Sequence, residues 1–319
     1  MEADKQMEIH FWGVRGSLPA PLHPWEIKEK ISAILKEALP EDLATPESRR
    51  RFLDGLPPWL YGTVGGNSPC VSVTIDGFDE PIIFDCGSGL REMGLAYLHK
   101  DTMPHKYHIF FSHFHWDHLL GFPFFNPAYN PAVTLDFYSP RLELEDVLVG
   151  QMCSPYFPVR LENMPAHKNF HYLREPVSIG PATISFRGLY HPGGSFAYMI
   201  SHNGKRFIYA TDTELGTADF EQNEENANFF KDADVIVLDS QYTLGEAIEK
   251  YNWGHTAFSL SVDFAANWGI KHLVLFHHDP AYDDQKLYGI LQSARGYIER
   301  MGIHGMKVSL ATEELKITL

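Results

Sequence analysis

Apolar residues recur along this chain in two rhythms. Short runs with strand character fall at residues 8–12, 70–75, 81–85, 109–111, 133–138, 183–190, 196–201, 206–210, 235–238 and 272–276. Apolar residues at helical spacing predict helices at 24–39, 46–53, from Leu90 onward, and at 142–152, 220–230, 256–268 and 283–300. In the first of these, Pro24 leads and Ile27, Ile31, Ile34 and Leu35 form the stripe. Asn203-Gly204 between two strand-like runs predicts a tight hairpin. Residues 155–171, rich in Pro, Asn and His, read as irregular, and the tail reads as short strand material. Hairpins first, then alternating helix and strand, predict an α/β fold of two sheets with helices packed outside.

No linker, repeat or low-complexity stretch divides residues 1–319, so one domain is expected. The helical segment 24–62 delays the second strand and reads as an insertion. A lid, a dimer contact in a homodimer, or a packing excursion are the roles open to it.

Composition narrows the class. With 44% apolar residues over 319 positions, the chain can bury a large core. The first six residues are polar, and no run is long enough to cross a bilayer, so a cytoplasmic protein without a signal peptide or membrane contact is expected. Cys70, Cys86 and Cys153 lie far apart and form no C-x-x-C pair, which excludes a thiolate zinc knuckle and a redox motif. The formal net charge is −15, and the only basic run is Arg49-Arg50-Arg51. Such a surface argues against a nucleic-acid partner.

Five apolar runs end in residues suited to metal or proton chemistry: Asp85 after Phe84; His113, His115, Asp117 and His118 after Phe111; His191 after Tyr190; Asp212 after Ala210; His277 and His278 after Phe276. A single histidine at a strand end is usually structural. Three histidines and an aspartate within six residues form a different pattern, because neutral imidazole and carboxylate oxygen are ligands of zinc and similar divalent ions. His113 and His115 are two apart in extended chain and point to one side. Asp117 and His118 follow after a turn. Two metals about 3.5–4 Å apart fit such a donor set.

These residues resemble the metallo-β-lactamase superfamily. His113-Phe114-His115-Trp116-Asp117-His118 matches its H-x-H-x-D-H signature, and His191, Asp212 and His277 stand in order where its remaining ligands lie. The resemblance implies a four-layer αββα sandwich and two divalent ions, zinc foremost, with manganese or iron admitted by the same ligands. It implies that His113, His115 and His191 hold one metal, that Asp117, His118 and His277 hold the other, and that Asp212 bridges. It makes Asp85 a partner of a metal histidine. His277 and His278 are adjacent, so only one is expected to ligate; the family order favours His277 and leaves His278 beside the pocket.

Within the superfamily the chain is similar to the phosphodiesterase branch, which includes cyclic phosphate and cyclic-nucleotide phosphodiesterases and tRNA 3′-processing nucleases. The opening loop Gly13-Val14-Arg15-Gly16-Ser17 and the element Trp253-Gly254-His255-Thr256 carry this similarity. It implies attack by a metal-bridging hydroxide, with Asp117 and His255 as the catalytic residues and His255 as general acid. Arg15 and Ser17 become candidates for holding a phosphate oxygen. The net charge, and the absence of a long basic arm, favour a small phosphodiester, such as a cyclic nucleotide, and argue against tRNA as substrate. A lactonase or other ester hydrolase on the same site is the rival enzyme. A ligand-sensing or partner-binding module of the same fold is the non-catalytic alternative.

Overall fold

A computed structural model describes residues 6–98 and 103–319; the reading of the first five residues as a polar leader-free start lies outside them. The chain opens with strand β1 (Met7–Gly13), then helices α1 (Pro24–Glu37), α2 (Pro46–Gly55) and α3 (Pro58–Tyr61). Strands β2 (Cys70–Ile75) and β3 (Phe78–Phe84), helix α4 (Gly89–Leu98), and strands β4 (Lys106–Phe110) and β5 (Thr134–Ser139) follow. Helix α5 (Leu144–Gln151) precedes strands β6 (His167–Tyr172), β7 (Val177–Ile179), β8 (Ala182–Leu189), β9 (Ser195–His202) and β10 (Lys205–Ala210). The second half runs α6 (Glu224–Phe230), β11 (Val235–Asp239), α7 (Leu244–Glu249), α8 (Phe258–Asn267), β12 (His272–Phe276), α9 (Asp284–Arg300), β13 (Lys307–Leu310) and β14 (Lys316–Thr318).

These strands form two seven-stranded sheets, ordered β14-β1-β2-β3-β4-β5-β6 and β13-β12-β11-β10-β9-β8-β7. Each is mixed: β3 to β6 run parallel in the first, and β10 to β13 run parallel in the second. Alternation along the strands sorts side chains into layers. Phe84, Phe110, Tyr209, Val237 and Phe276 face the space between the sheets. Ile208, Ile236, Leu238, Leu273 and Leu275 face outward onto helices α6, α8 and α9. On the other sheet, Ile83, Tyr107, Ile109 and Leu135 face α4 and α5. Both helix layers and both sheets are present, as the expected αββα sandwich requires.

The short elements β7 and α7 have no counterpart in the sequence-based reading, and two further stretches differ from it. Residues 167–172 form an edge strand, β6, within the stretch expected to be irregular; its alternating exposed and half-buried residues carry little apolar signal. The helix expected over 220–230 is shorter: a single turn at Thr217–Phe220 stops, and α6 starts after Asn223, whose side chain caps it by accepting from the Asn226 N–H. In the 24–62 segment, α1 buries no residue, and Lys30 fastens it to Asp284 at the start of α9.

The sheets bring their parallel carboxyl ends to one edge. Phe84 pairs with Phe110 and Asp239 with Phe276, so β3, β4, β11 and β12 stop nearly level. Ligand sites of parallel α/β sheets form outside such ends.

Candidate active site

Three of the chemically competent residues leave the end of a strand through a sharp turn. Asp85, Asp212 and His277 have φ of 62°, 54° and 62°, in the left-handed region. A non-glycine residue held there costs of order 1–3 kcal/mol, and such strain persists only when surrounding contacts fix it. At Asp85 a backbone bond contributes to that fixation: its N–H donates to Phe110 O at 2.9 Å. His115 precedes a single helical turn, Trp116–His118, that carries Asp117 and His118.

The ligand atoms of His113, His115, His191 and Asp212 lie within 4.8 Å of one another, as do those of Asp117, His118 and His277. Asp212 stands between the groups. Its Oδ2 is 3.5 Å from His113 Nε2 and 3.7 Å from His191 Nε2; its Oδ1 is 3.3 Å from His118 Nε2 and 3.1 Å from His277 Nε2.

This donor set fits divalent cations. The buried His113 Nε2 and His118 Nε2 have no hydrogen-bond partner. The opposite ring nitrogens are anchored. His118 Nδ1 donates to Asp85 Oδ2 at 2.8 Å, His191 Nδ1 to Gly254 O at 2.8 Å, His277 Nδ1 to Gln241 Oε1 at 3.0 Å, and His113 Nδ1 to Ser112 Oγ at 3.0 Å. Such anchoring fixes the tautomer and aims the free nitrogen inward. His115 Nδ1 and His191 Nε2 face each other at 3.2 Å. Burial pushes the pKa of His113, His115 and His191 down, toward the neutral form that binds metal. Burial opposes charge on Asp117 and Asp212, but His118 and His277 outweigh it and hold both carboxyls well below the usual range. His118 is driven up against its burial by Asp117, Asp212 and Asp85; a divalent cation would supply that positive charge instead.

Asp85 is fully buried and accepts from His118 Nδ1, from Ser112 Oγ at 2.7 Å, from Ser112 N at 2.8 Å and from Tyr209 OH at 2.9 Å. Asp85→Asn removes the acceptor charge behind His118 and should weaken metal affinity about 10- to 100-fold. Competition with a chromophoric chelator measures it. Gly254 has φ of +86°, and a Cβ there would sit 2.3 Å from His191 Nδ1. Gly254→Ala is therefore expected to lower metal content and thermal stability together, read by elemental analysis and a melting curve.

Other candidates fall differently. Ser17 lines the mouth, and its backbone N–H donates to Asp117 Oδ2 at 2.8 Å. Arg15 does not serve as a phosphate contact. Its buried guanidinium is spent on backbone carbonyls, of Gly65 at 2.9 Å, Tyr282 at 2.7 Å and Asp279 at 3.3 Å, and so ties the opening loop to the segment after β12. His278 stands apart from the cluster: Nε2 donates to Ala311 O at 2.8 Å, and burial pushes its pKa to about 3.

His255 lies at the mouth with Ser17, Phe114, His115, Trp116, Asp117, Asp212 and His277, and its ring stacks 4.9 Å from that of His277. Its Nδ1 donates to Asp239 Oδ2 at 2.6 Å. Burial opposes its charge, but Asp239 prevails and lifts its pKa to about 9. Asp239 is fully buried and also accepts from the backbone N–H groups of Gln241 and Thr256. Sequence reasoning left out Asp239, Gln241, Ser112 and Tyr209 as supports. Asp239 carried a signal, since it ends an apolar strand as Asp85 does.

Residues 81–278 match the family model for the β-lactamase superfamily domain, from within β3 to just past β12, so the match takes in the whole cluster. A ribonuclease Z of Sulfurisphaera tokodaii is 25% identical over 298 residues, covering 76% of this chain and 93% of its own. Among solved structures, a diphosphatase of the PhnP family superposes with a TM-score of 0.61 at 17% identity, over 98% of this chain and 97% of that one. Human tRNase Z, short form, superposes with a TM-score of 0.61 at 15% identity, over 97% and 98%. These relatives correct one expectation. Net charge had argued against tRNA, yet proteins named ribonuclease Z and tRNase Z share this chain's sequence pattern and fold, so that exclusion does not stand. With the matched segment enclosing Asp85, the H-x-H-x-D-H turn, His191, Asp212 and His277, the chain belongs to the β-lactamase superfamily.

Proposed function

We propose that this protein is a dinuclear metal-dependent phosphodiesterase. In this reading His113, His115 and His191 hold one divalent cation, Asp117, His118 and His277 hold the second, and Asp212 contacts both. Zinc is the expected ion, and manganese or iron suits the same ligands. Bound cations would activate water and neutralise charge on the phosphoryl oxygens.

The observation that carries the phosphodiesterase reading is the His255–Asp239 pair. Asp239 occupies Nδ1 of the imidazole at 2.6 Å, which leaves Nε2 as the nitrogen free to carry a proton to a departing oxygen. The Asp239 carboxylate also favours the protonated imidazole, against the burial that opposes it. A leaving ribose alkoxide needs that proton, as does the alkoxide of an opening lactone, so a substrate panel must separate the two. The mouth encloses about 380 Å³, room for one nucleotide-sized phosphodiester. A cyclic nucleotide and the terminal nucleotide of a longer RNA both meet that limit.

His255 must be protonated to act, so kcat should fall as pH rises through its pKa, at or below about 9. Asp239→Asn removes the charge that raises this pKa and should move the basic limb toward acid; a limb that stays in place counts against the acid role.

The reading is tested with a panel of bis(4-nitrophenyl) phosphate, 2′,3′- and 3′,5′-cyclic nucleotides, an RNA with a 3′ extension, a lactone and a β-lactam. Cleavage confined to phosphodiesters is expected. Hydrolysis of the lactone alone would overturn the proposal.

A further inference from the structure

Trp116 stands between His115 and Asp117, yet its side chain is 86% exposed. Among the described residues it makes no ring contact and its indole N–H has no hydrogen-bond partner. Tryptophan normally buries its large apolar ring and pairs its N–H. Here the backbone prevents burial: Trp116 O accepts from the N–H groups of Leu119 at 3.0 Å and Leu120 at 2.8 Å, so the turn that places Asp117 and His118 also holds the indole out. The ring lines the mouth beside Phe114 and His115.

Two more exposed aromatics sit on the segments that carry other cluster residues. Tyr190 precedes His191 and is 60% exposed; Trp253 precedes Gly254-His255 and is 61% exposed. Tyr190 OH donates to Asn252 Oδ1 at 3.1 Å, which links the two segments. A floor of histidines and carboxylates is thus flanked at the mouth by the flat rings of Phe114 and Trp116, while Tyr190 and Trp253 stand exposed on neighbouring segments. A substrate that satisfies both carries a phosphate and a planar aromatic group.

We propose that Trp116 is a specificity-determining residue whose indole stacks on a nucleobase of the substrate. This rests on the phosphodiesterase reading. Stacking on an aromatic side chain tolerates any base, so the proposal selects nucleotides as a class without selecting a sequence.

The test compares two esters with the same leaving group: thymidine 5′-(4-nitrophenyl phosphate) and methyl 4-nitrophenyl phosphate. Their kcat/KM ratio cancels effects on metal and chemistry common to both. The holoenzyme should favour the nucleoside ester, and Trp116→Ala should lower the ratio about 5- to 150-fold, the equivalent of 1–3 kcal/mol per stacked base at 1.36 kcal/mol per tenfold. Trp116→Phe should restore most of it. A ratio unchanged in Trp116→Ala overturns the proposal. The same proteins are titrated calorimetrically with AMP and ribose 5-phosphate. If the native protein cleaves neither ester but binds AMP more tightly, and Trp116→Ala loses that preference, the phosphodiesterase reading fails while stacking survives. Equal binding of the two ligands by the native protein overturns stacking itself.

Discussion

Asp212→Ala is expected to abolish metal retention at both positions and to reduce phosphodiester turnover by at least about 10³-fold, since cation stabilisation of the transition state is worth several kcal/mol. The reason is position. Each carboxylate oxygen faces a different group, Oδ2 toward His113 and His191, Oδ1 toward His118 and His277. Removing a ligand from one group alone would leave the other intact. Removing Asp212 takes an acceptor from both and leaves histidine nitrogens converging with no anionic partner between them. Elemental analysis of purified variant and native protein, prepared identically, measures the loss. Circular dichroism checks that the fold persists, since Asp212 lies beyond the end of β10 and outside the apolar layers. A variant that kept two metals per chain would refute the bridging role.

His255→Ala should behave oppositely: metal content unchanged and kcat reduced about 10²- to 10⁴-fold, the usual contribution of a positioned acid. The size must depend on the leaving group. A departing 4-nitrophenolate is stable as an anion and needs little protonation. A departing ribose alkoxide needs the proton fully. The loss should therefore be large with a cyclic nucleotide or RNA and small with bis(4-nitrophenyl) phosphate. Equal losses on all substrates would make His255 a positioning group, or a ligand, which its convergence with Asp212 and His277 would permit.

Much of the site was legible in the sequence because it sits at the ends of apolar strands. The run His272–Phe276 announces both a buried strand and, by its end, a residue delivered to the sheet edge. The same holds for Phe84 before Asp85 and Ala210 before Asp212. The adjacent pair His277-His278 was resolved by backbone that sequence does not display: the left-handed turn at His277 aims it at the cluster, while the chain at His278 bonds with the opening loop through Val14 and Gly16. Arg15 was illegible for a related reason. Its acceptors are carbonyl oxygens 50 to 267 residues away, and carbonyls have no sequence signature. Strand β6 was missed because an exposed edge strand has little apolar pattern. The tRNA expectation failed because net charge sums the whole surface, whereas recognition depends on the field at the mouth.

If two cations make this protein a phosphodiesterase, turnover must follow metal loading. Native protein is stripped with a chelator and zinc is returned in measured equivalents while bis(4-nitrophenyl) phosphate hydrolysis is followed. Negligible turnover of the stripped protein is expected, with a rise that breaks at two equivalents per chain. Full turnover after chelation, or no turnover at any zinc, manganese or iron loading, would contradict it.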